Sequence, residues 1–405
     1  MRILVVTPHF SPENFKCNDM AFELAARGHD VDVMTAIPDY PKGRFYDGYG
    51  LFKRRSETVN GVRVFRSPII PRGDGSAVRM ALNYISYTFF AVCHALRIGL
   101  TRKYDAVIVF QISPVMVGIP AVIIRKMRKT PVYFWVLDLW PESLAAAGGI
   151  RRRYILGAFG RLTEWLYRNS DKILISSKGF RKSICEKGDF DSRILHFPNW
   201  VDSAMERRGG TDYSVPAIPE GFVVMFAGNM GDAQDLPSVM KAAERLKPHG
   251  DIHFVFLGDG RMKAWVEEYV REYGLEHTVH CLGRHPLESM PEFFSRADVL
   301  FLSLKDTEIF ALTVPARLQS YMAAGKQVVA MLNGEGADII EESQCGYSVP
   351  AGDSEALARL LLELSREDKG ILRRKGENGL SYSRRHYDFK SSIDTLERLI
   401  STSGQ

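Results

Sequence analysis

The residues from Thr313 to Gly325, TVPARLQSYMAAG, combine the features of an anion-binding helix start. Pro315 presets a helical φ where the backbone N–H has no partner within the helix, and Ala316 and the following residues have helical spacing. The free N–H groups and the positive end of the helix dipole then point outward, with Arg317 in the first turn. This pattern predicts a phosphate site. The alternative is an ordinary helix whose Arg317 faces water.

Three glycine-bearing loops follow predicted strands in the same half of the chain. Glycine after a strand allows the backbone to approach a phosphate closely. Each loop alone is typical of an ordinary tight turn, but together with Pro315–Arg317 they predict a phosphorylated ligand. The loops are Gly228-Asn229-Met230-Gly231, Gly258-Asp259-Gly260 and Gly283-Arg284-His285-Pro286.

A carboxylate, Asp138, lies just beyond the predicted strand Val132–Leu137. Ligands of open α/β sheets bind beyond the carboxyl ends of the strands, so Asp138 is a candidate for acid–base chemistry. The alternative is that Asp138 caps the helix predicted to begin near Pro141. Glu142 and Glu308 are rival carboxylates.

Several kinds of chemistry are disfavoured because their motifs are absent. The first predicted strand is followed by PHFSPE and not by GxGxxG, and the chain contains no GxxxxGK[ST], HExxH or GxSxG. The two Asp-x-Asp triplets, Asp30–Asp32 and Asp189–Asp191, lie along a predicted strand and in a predicted turn. We therefore predict no metal ion and no cofactor.

Length and charge limit the class of protein. A chain of 405 residues exceeds what one hydrophobic core usually serves, so two domains are expected. The net charge of +5 is concentrated in clusters, which suit solvated helix ends or an anionic membrane surface. Nucleic acid is disfavoured because no basic run is interleaved with aromatic residues. The clusters are Lys53–Arg55, Arg125–Lys129, Arg151–Arg153 and Arg373–Lys375.

Cysteine usage and the amino terminus favour the cytoplasm. The five cysteines form no CxxC pair, which argues against a zinc site or a disulfide framework. The chain opens directly on a predicted strand, so we expect no signal peptide. The apolar stretch Ala106–Ile124 is interrupted at Gln111–Pro114, so a buried strand and a separate helix are favoured over a transmembrane span.

The elements that position these residues alternate between strand and helix, twice over. This predicts two α/β domains with doubly wound parallel sheets, at residues 1–200 and 221–380. Residues 201–220 are rich in Pro, Gly and polar residues and are predicted to be a linker. Residues 381–405 are predicted to form a terminal amphipathic helix. A long aromatic helix at Ser76–Leu100 is typical of core but also suits membrane contact.

Taken in order, these segments resemble the retaining glycosyltransferases of the GT-B type, in the group-1 family, also called glycosyltransferase family 4. Within the family the chain resembles bacterial N-acetyl-L-fucosamine transferases that build O-antigen and capsule units. The motifs that carry the resemblance are SPENF (11–15), RGHDVDVMTAIPDYPKGRFYDGY (27–49), VLDLWPES (136–143), FPNWVD (197–202), FAGNMGDAQ (226–234), FLGDG (256–260), LGRHP (282–286) and TVPARLQSYMAAGK (313–326).

The resemblance implies a fold and an activity. The fold would be two Rossmann-like domains facing a cleft, with the C-terminal helix crossing back to the first domain. The activity would be metal-independent transfer, with retention, of a sugar such as N-acetyl-L-fucosamine. The donor, a UDP-sugar, would bind the second domain. The acceptor, a polyprenyl-diphosphate-linked sugar, would bind the first domain at the inner face of the plasma membrane, where the protein would be peripherally attached.

The resemblance also implies roles for particular residues. The expected catalytic residues are Asp138, Glu308 and Arg317, and the expected acceptor residues are Glu13, Asn14, Asp138 and Trp140. The expected nucleotide-sugar contacts are Gly228, Asn229, Gly231, Gly258, Gly260, Arg284, His285, Thr313, Val314, Pro315, Ala316, Arg317 and Gln319.

Two departures from the family pattern keep alternatives open. Many members carry an E-x7-E pair, whose places are held here by Leu312 and Ser320, and Glu308 lies four residues before the first of them. The frequent His-Asp pair reads Leu137-Asp138. One alternative is a non-hydrolysing UDP-sugar 2-epimerase, which shares the two-domain architecture. The missing pair also leaves open a non-catalytic nucleotide-sugar-binding partner in a polysaccharide assembly complex.

Overall fold

The computed structural model describes residues 1–148, 152–202, 205 and 215–402. The chain divides into two compact units. Unit 1 comprises Met1–Pro198 together with Lys390–Gln405, and unit 2 comprises Asn199–Phe389. Unit 2 therefore begins at Asn199. Much of the predicted linker at 201–220 lies outside the described residues.

Unit 1 is built on an eight-stranded sheet whose strands are mostly continuous apolar runs, as expected for strands covered on both faces. The strand order is β3-β4-β2-β1-β5-β6-β7-β8, and all neighbours except β3 and β4 are parallel. The direction of winding reverses between β1 and β5. The strands are β1 (Arg2–Val6), β2 (Asp30–Ala36), β3 (Ser56–Val59), β4 (Val62–Ser67), β5 (Ala106–Gln111), β6 (Val132–Val136), β7 (Lys172–Ile175) and β8 (Ile194–His196).

The helices of unit 1 connect these strands, as the alternation predicts. The first six are α1 (Lys16–Ala26), α2 (Ala77–Thr101), α3 (Ile119–Arg128), α4 (Glu142–Gly148), α5 (Arg153–Arg168) and α6 (Phe180–Cys185).

The edge strand β3 lies in the segment between β2 and α2, for which the sequence analysis predicts no hairpin. The structure shows an antiparallel hairpin of β3 and β4, turned at Asn60-Gly61 with φ of 47° and 81°. Asn-Gly favours the two positive φ values of a tight hairpin turn. The Asn-Gly pair was therefore the signal for the second strand.

Unit 2 contains a six-stranded parallel sheet in the order β11-β10-β9-β12-β13-β14. With β9 counted as the first strand, this is the dinucleotide-fold order 3-2-1-4-5-6, whose winding reverses between the first and fourth strands. The ligand-binding edge therefore lies at the carboxyl ends of β9 and β12. The strands are β9 (Phe222–Ala227), β10 (Ile252–Leu257), β11 (Val279–Gly283), β12 (Val299–Ser303), β13 (Gln327–Met331) and β14 (Gly346–Val349).

The helices of unit 2 cover two buried apolar clusters, which contain alternate side chains of the strands. They are α7 (Leu236–Leu246), α8 (Lys263–Glu272), α9 (Met290–Ser295), α10 (Glu308–Ala311), α11 (Ala316–Ala323), α12 (Glu335–Ser343), α13 (Ser354–Leu364) and α14 (Lys369–His386).

The predicted terminal helix at 381–405 begins in a different place. Residues up to His386 complete α14, and the last helix, α15 (Phe389–Thr402), follows a break. From Lys390 onward the chain belongs to unit 1, where Tyr133 Oη donates to the carbonyl of Leu399 at 3.0 Å. None of the described helices is both long enough and apolar enough to span a bilayer.

Candidate functional site

In unit 2, the glycine loops after β9 and β10 are in direct backbone contact. A Cβ at Gly258 would lie 1.9 Å from the carbonyl oxygen of Gly228, and one at Gly260 would lie 2.4 Å from that of Met230. Both glycines have positive φ, so only glycine suits these positions without strain. The loop after β11 joins them, because the Gly258 N–H donates to the Gly283 carbonyl at 2.7 Å. Three segments predicted separately thus form one cluster.

Arg317 lies against this cluster. Its guanidinium is 4.2 Å from the centre of the Phe226 ring, and Nη2 is 3.4 Å from the carbonyl oxygen of Asn229. A Cβ at Gly228 would lie 2.7 Å from the same Nη2, so the missing side chain makes room for the guanidinium. The alternative that Arg317 simply faces water is wrong.

The Arg317 cation has no carboxylate partner among the described residues. Burial lowers the pKa of the guanidinium, and Tyr321 opposes that effect. A partly desolvated cation without a counter-ion favours the binding of an anion. The ring of Phe226 stabilises the guanidinium through its π face without neutralising it. The arrangement can therefore hold a phosphate beside the glycine loops.

The start of α11 differs slightly from the prediction. Pro315 is extended, with ψ of 129°, and Ala316 is the first helical residue. The first N–H groups of the helix still have no acceptor within it. Thr313 Oγ1 donates to the Ile309 carbonyl at 2.7 Å. Gln319 is only 2% exposed, which does not suit the predicted nucleotide contact.

The end of β12 brings the predicted catalytic residue Glu308 to the same edge of the sheet. The Lys305 N–H donates to the Ala233 carbonyl at 2.9 Å, which ties this loop to the loop after β9. Glu308 begins the one-turn helix α10, capped by Thr307, and its side chain is exposed. A Cβ at Gly334 would lie 2.1 Å from the Ala311 carbonyl, so the loop after β13 supports α10.

The two side chains predicted to lie near a nucleotide base differ in environment. Arg284 is exposed, whereas His285 is partly buried against Phe293, with ring centres 4.6 Å apart. His285 Nε2 lies 3.0 Å from the Leu282 carbonyl, so this nitrogen carries a proton and donates it. The ring therefore stabilises the turn after β11, and Arg284 is free to turn toward a ligand.

In unit 1, Asp138 lies beyond the carboxyl end of β6 and is held by side chains. Its Oδ2 accepts hydrogen bonds from Ser113 Oγ and from Trp140 Nε1, the latter at 3.1 Å. Its Oδ1 accepts one from Ser143 Oγ. These donors are side chains and not the backbone N–H groups that a helix cap would bind, so the capping alternative is not supported.

Glu13 and Asn14 are placed differently from each other. Glu13 is 2% exposed, and its Oε1 accepts the backbone N–H groups of Asp39 at 2.9 Å and Tyr40 at 2.7 Å. Its Oε2 lies 2.9 Å from His9 Nδ1. Glu13 therefore organises the loops behind the surface and is not positioned to touch an acceptor as predicted. Asn14 is exposed.

A buried network around His9 was not recognised in the sequence. His9 Nε2 faces Arg72 Nη2 at 2.5 Å, so Nε2 must accept and the proton must lie on Nδ1, toward Glu13. Asp39 accepts the Arg72 N–H at 2.8 Å, and burial raises the pKa of its carboxyl. Because Arg72 and Asp39 lie far along the chain from His9, no local spacing marked this network.

His9, Glu13 and Asp39 also meet the geometric requirement for a cation, since one ligand atom of each lies within 4.8 Å of the others. Arg72, however, already supplies a positive charge beside them, and Glu13 Oε1 is used by two backbone N–H groups. A metal ion here would have to displace these interactions. The cluster therefore does not change the prediction that no metal is used.

Tyr84 of α2 lies beside the buried network around His9, with the Arg72 guanidinium 6.0 Å from the centre of its ring. Burial raises the pKa of its phenol, Arg72 opposes the rise, and the Asp138 and Asp39 carboxylates add to it. Tyr84 also lines, with His9 and Asp39, a cavity of about 10 Å³, which is roughly the room that one water molecule needs. The inner face of α2 thus borders the cavity beside His9, which Pro114 also lines.

The fold and these loops agree with two family models. Residues 16–200 match the glycosyl transferase 4-like domain, and residues 221–367 match the glycosyl transferases of group 1. Between them the two matches span most of the chain. Residues 16–200 and 221–367 thus each match a glycosyltransferase domain, in the order that the motifs predict.

Curated relatives carry related names. A putative colanic acid biosynthesis glycosyl transferase, WcaI of Escherichia coli K12, is 25% identical over 347 residues, or 81% of this chain and 83% of the relative. The probable glycosyltransferase WbjE of Pseudomonas aeruginosa is 27% identical over 249 residues, covering 59% of this chain and 61% of its own length.

Solved structures show the same fold. Anabaena HepE in complex with UDP aligns over 99% of this chain and 100% of its own, with a TM-score of 0.72 and 16% identity. Sucrose-phosphate synthase from Thermosynechococcus elongatus aligns over 99% and 98%, with a TM-score of 0.75 and 14% identity. The fold is GT-B, which confirms the predicted class.

Proposed function

We propose that the protein is a retaining glycosyltransferase of surface polysaccharide biosynthesis. The donor is a UDP-sugar bound to unit 2, and the acceptor is a polyprenyl-diphosphate-linked sugar bound to unit 1 at the cytoplasmic face of the membrane. Relatives named for colanic acid and amylovoran biosynthesis support the pathway, and the HepE complexes with UDP and UDP-glucose support the donor class. An N-acetylated deoxyamino sugar such as N-acetyl-L-fucosamine is the proposed sugar.

Arg317, which has no carboxylate partner among the residues that the structure describes, lies beside the glycine loops, and this observation carries the proposal. When the bond between the anomeric carbon and the diphosphate oxygen breaks, negative charge grows on the diphosphate. A guanidinium and backbone N–H groups held ready for that charge stabilise the transition state more than the ground state. This neutralisation lets the reaction proceed without a metal ion.

Asp138 orients the acceptor in this proposal. A carboxylate offers about four lone-pair positions, and Ser113, Trp140 and Ser143 use three of them. The fourth can accept the proton of the acceptor hydroxyl while the hydroxyl oxygen attacks the anomeric carbon, on the face from which the diphosphate leaves. Since the three donors fix the carboxylate, the attacking oxygen is held in one orientation.

Glu308 is the proposed contact to the donor sugar. It takes the place of the missing E-x7-E pair, whose positions are Leu312, at the end of α10, and Ser320, whose hydroxyl points back to the Ala316 carbonyl at 3.3 Å. Glu308 lies at the carboxyl edge of β12 and is exposed, so it can accept sugar hydroxyl groups.

Nucleotide binding tests the role of Arg317. Calorimetric titration with UDP, GDP and ADP should show the tightest binding for UDP, with no change on adding EDTA. Arg317→Ala should weaken UDP binding at least about tenfold, because a charge-assisted contact is lost. Arg296→Ala is the matched control. Arg296 lies just before the amino end of β12, at the edge of the sheet opposite the proposed phosphate site. Unchanged affinity in Arg317→Ala would contradict the proposal.

Turnover tests the role of Asp138. Asp138→Asn should bind UDP normally but transfer sugar at least about a hundredfold more slowly, in the range usual for a lost acid–base or positioning group. Incubating the wild-type protein with UDP-sugars and no acceptor separates transfer from epimerisation. Formation of a 2-epimer under those conditions would contradict the transferase assignment.

A further inference from the structure

The strands β9 and β12 of unit 2 separate toward their carboxyl ends, and a tyrosine hydroxyl binds the backbone there. Among the residues that the structure describes, the pairing of these two strands ends at Met225 and Leu300. Two residues later, the Ala227 N–H donates to Tyr321 Oη at 2.8 Å, and Tyr321 Oη donates to the Ala227 carbonyl at 3.3 Å. Tyr321 therefore binds both backbone groups at the end of β9 that a neighbouring strand would otherwise bind.

The side chain of Tyr321 is buried and held in one orientation. It is 1% exposed, and its ring packs edge-on against Phe294, with ring centres 5.5 Å apart and ring planes at 87°. Burial raises the pKa of the Tyr321 phenol to about 12, although Arg317 lowers it, so the hydroxyl keeps its proton at neutral pH. The hydroxyl can therefore donate to one backbone group of Ala227 and accept from the other at the same time.

Arg317 and Tyr321 lie on the same face of α11, because they are four residues apart. The contacts of the Arg317 guanidinium are the ring of Phe226 and the carbonyl of Asn229. Neither contact fixes a guanidinium as a bidentate pair with a carboxylate would. The position of the guanidinium therefore depends on where α11 lies relative to the end of β9. The hydrogen bonds between Tyr321 and Ala227 fix that relation about one helical turn from Arg317.

We propose that Tyr321 is a positioning residue of the anion site, which holds Arg317 beside the glycine loops by tying α11 to the last residue of β9. This inference rests on the proposed role of Arg317 in binding the diphosphate of the donor. Tyr321 does not itself touch the ligand, since its buried hydroxyl is bonded to the N–H and the carbonyl of Ala227. The alternative is that Tyr321 only stabilises the core of unit 2.

A double-mutant cycle on the full chain, with UDP as the ligand, separates the two roles. Tyr321→Phe keeps the buried ring and removes only the hydroxyl, so this variant should fold, which urea denaturation checks. It should weaken UDP binding about fivefold, because the end of α11 loses its hydrogen bonds to β9. In the Arg317→Ala protein the same substitution should change UDP affinity less than about twofold, because the group that Tyr321 positions is absent.

Tyr269→Phe is the matched control. Tyr269 Oη donates to Glu244 Oε2 at 2.8 Å, between α8 and α7, so this variant also loses a hydroxyl hydrogen bond in unit 2. Its UDP affinity should equal that of the wild type.

Each other outcome overturns the inference. Unchanged UDP affinity in Tyr321→Phe would show that the hydroxyl has no part in the site. An equal loss of affinity with and without Arg317 would assign Tyr321 to the core alone, as would a Tyr321→Phe protein that lacks cooperative unfolding in urea. Failure of the proposed donor site gives a different result, because Arg317→Ala would then itself leave UDP affinity unchanged.

Discussion

Each unit has its candidate groups at the carboxyl edge of its own doubly wound sheet. The two units form these groups from different parts of the chain, the backbone in one and side chains in the other. In unit 2 the cluster consists of backbone, with glycines whose missing side chains admit other loops and Arg317. In unit 1 it consists of side chains, with Glu13, His9 and Arg72 linked through buried hydrogen bonds. The backbone cluster suits an anion such as a phosphate, whereas the buried side-chain network of unit 1 fixes the loops that carry it.

This contrast has a consequence for substitution. A backbone cluster is sensitive to any added side chain, because the neighbouring atom is a carbonyl that cannot move independently. A side-chain network is sensitive to polarity, because each buried donor must face an acceptor. Substitutions should therefore destabilise unit 2 through steric overlap with the backbone, and unit 1 through buried polar groups that lose their partners.

The largest expected effect is that of Gly258→Ala. The added Cβ would lie 1.9 Å from the Gly228 carbonyl, at a φ of 142° that side chains rarely adopt. We expect a loss of about 2 kcal/mol or more in the free energy of unfolding and no measurable UDP binding. Urea denaturation and calorimetry measure the two effects. Gly250→Ala, where a Cβ meets open space, is the control and should behave as the wild type.

The next effect is that of Glu13→Gln. The amide oxygen can still accept the Asp39 and Tyr40 N–H groups, but its NH₂ group then faces His9 Nδ1. His9 must shift its proton to Nε2, which places two donors together at Arg72. We expect a loss of about 2 kcal/mol in urea denaturation. UDP affinity should be unchanged, since the network lies in unit 1, and reduced UDP affinity would contradict the division of roles.

The smallest effect concerns the terminal helix that completes unit 1. Burial alone would raise the pKa of the Glu397 carboxyl, but hydrogen bonds from His29 and Arg27 outweigh it, so the pKa lies below its ordinary value of 4.5. The resulting stability is fully present above pH 4.5 and is lost as the pH falls through the folded-state pKa. Glu397→Gln should cost about 1 kcal/mol at pH 7 and nothing in strong acid.

Denaturation of Glu397→Gln as a function of pH checks this sign. Glu292→Gln is the control in unit 2, where the carboxylate pairs with Arg296 within one helix turn. Its expected cost is a few tenths of a kcal/mol. A Glu397 effect that persists in strong acid would mean that packing, and not the ion pair, holds α15 to unit 1.

Local spacing predicted more of unit 2 than of unit 1. Gly228, Gly258 and Gly260 each follow a strand, and the order of strands and helices brings the carboxyl ends together, so their meeting follows from the topology. Glu13 was placed at the acceptor because it belongs to a motif, yet it is buried. Its partners Asp39 and Tyr40 lie beyond β2, and no periodicity shows which way a loop carboxylate turns.

The sequence by itself determined the two α/β domains, the helix start at Pro315–Arg317 and the glycine loops, because these depend on φ preferences and on the spacing of apolar residues. The tertiary structure alone decided that Arg317 lies over Phe226 with no carboxylate partner among the described residues, that Asp138 is held by Ser113, and that Phe89 and Leu100 of α2 are exposed. These features depend on contacts between residues far apart in the chain, or on which faces remain uncovered once the helices pack.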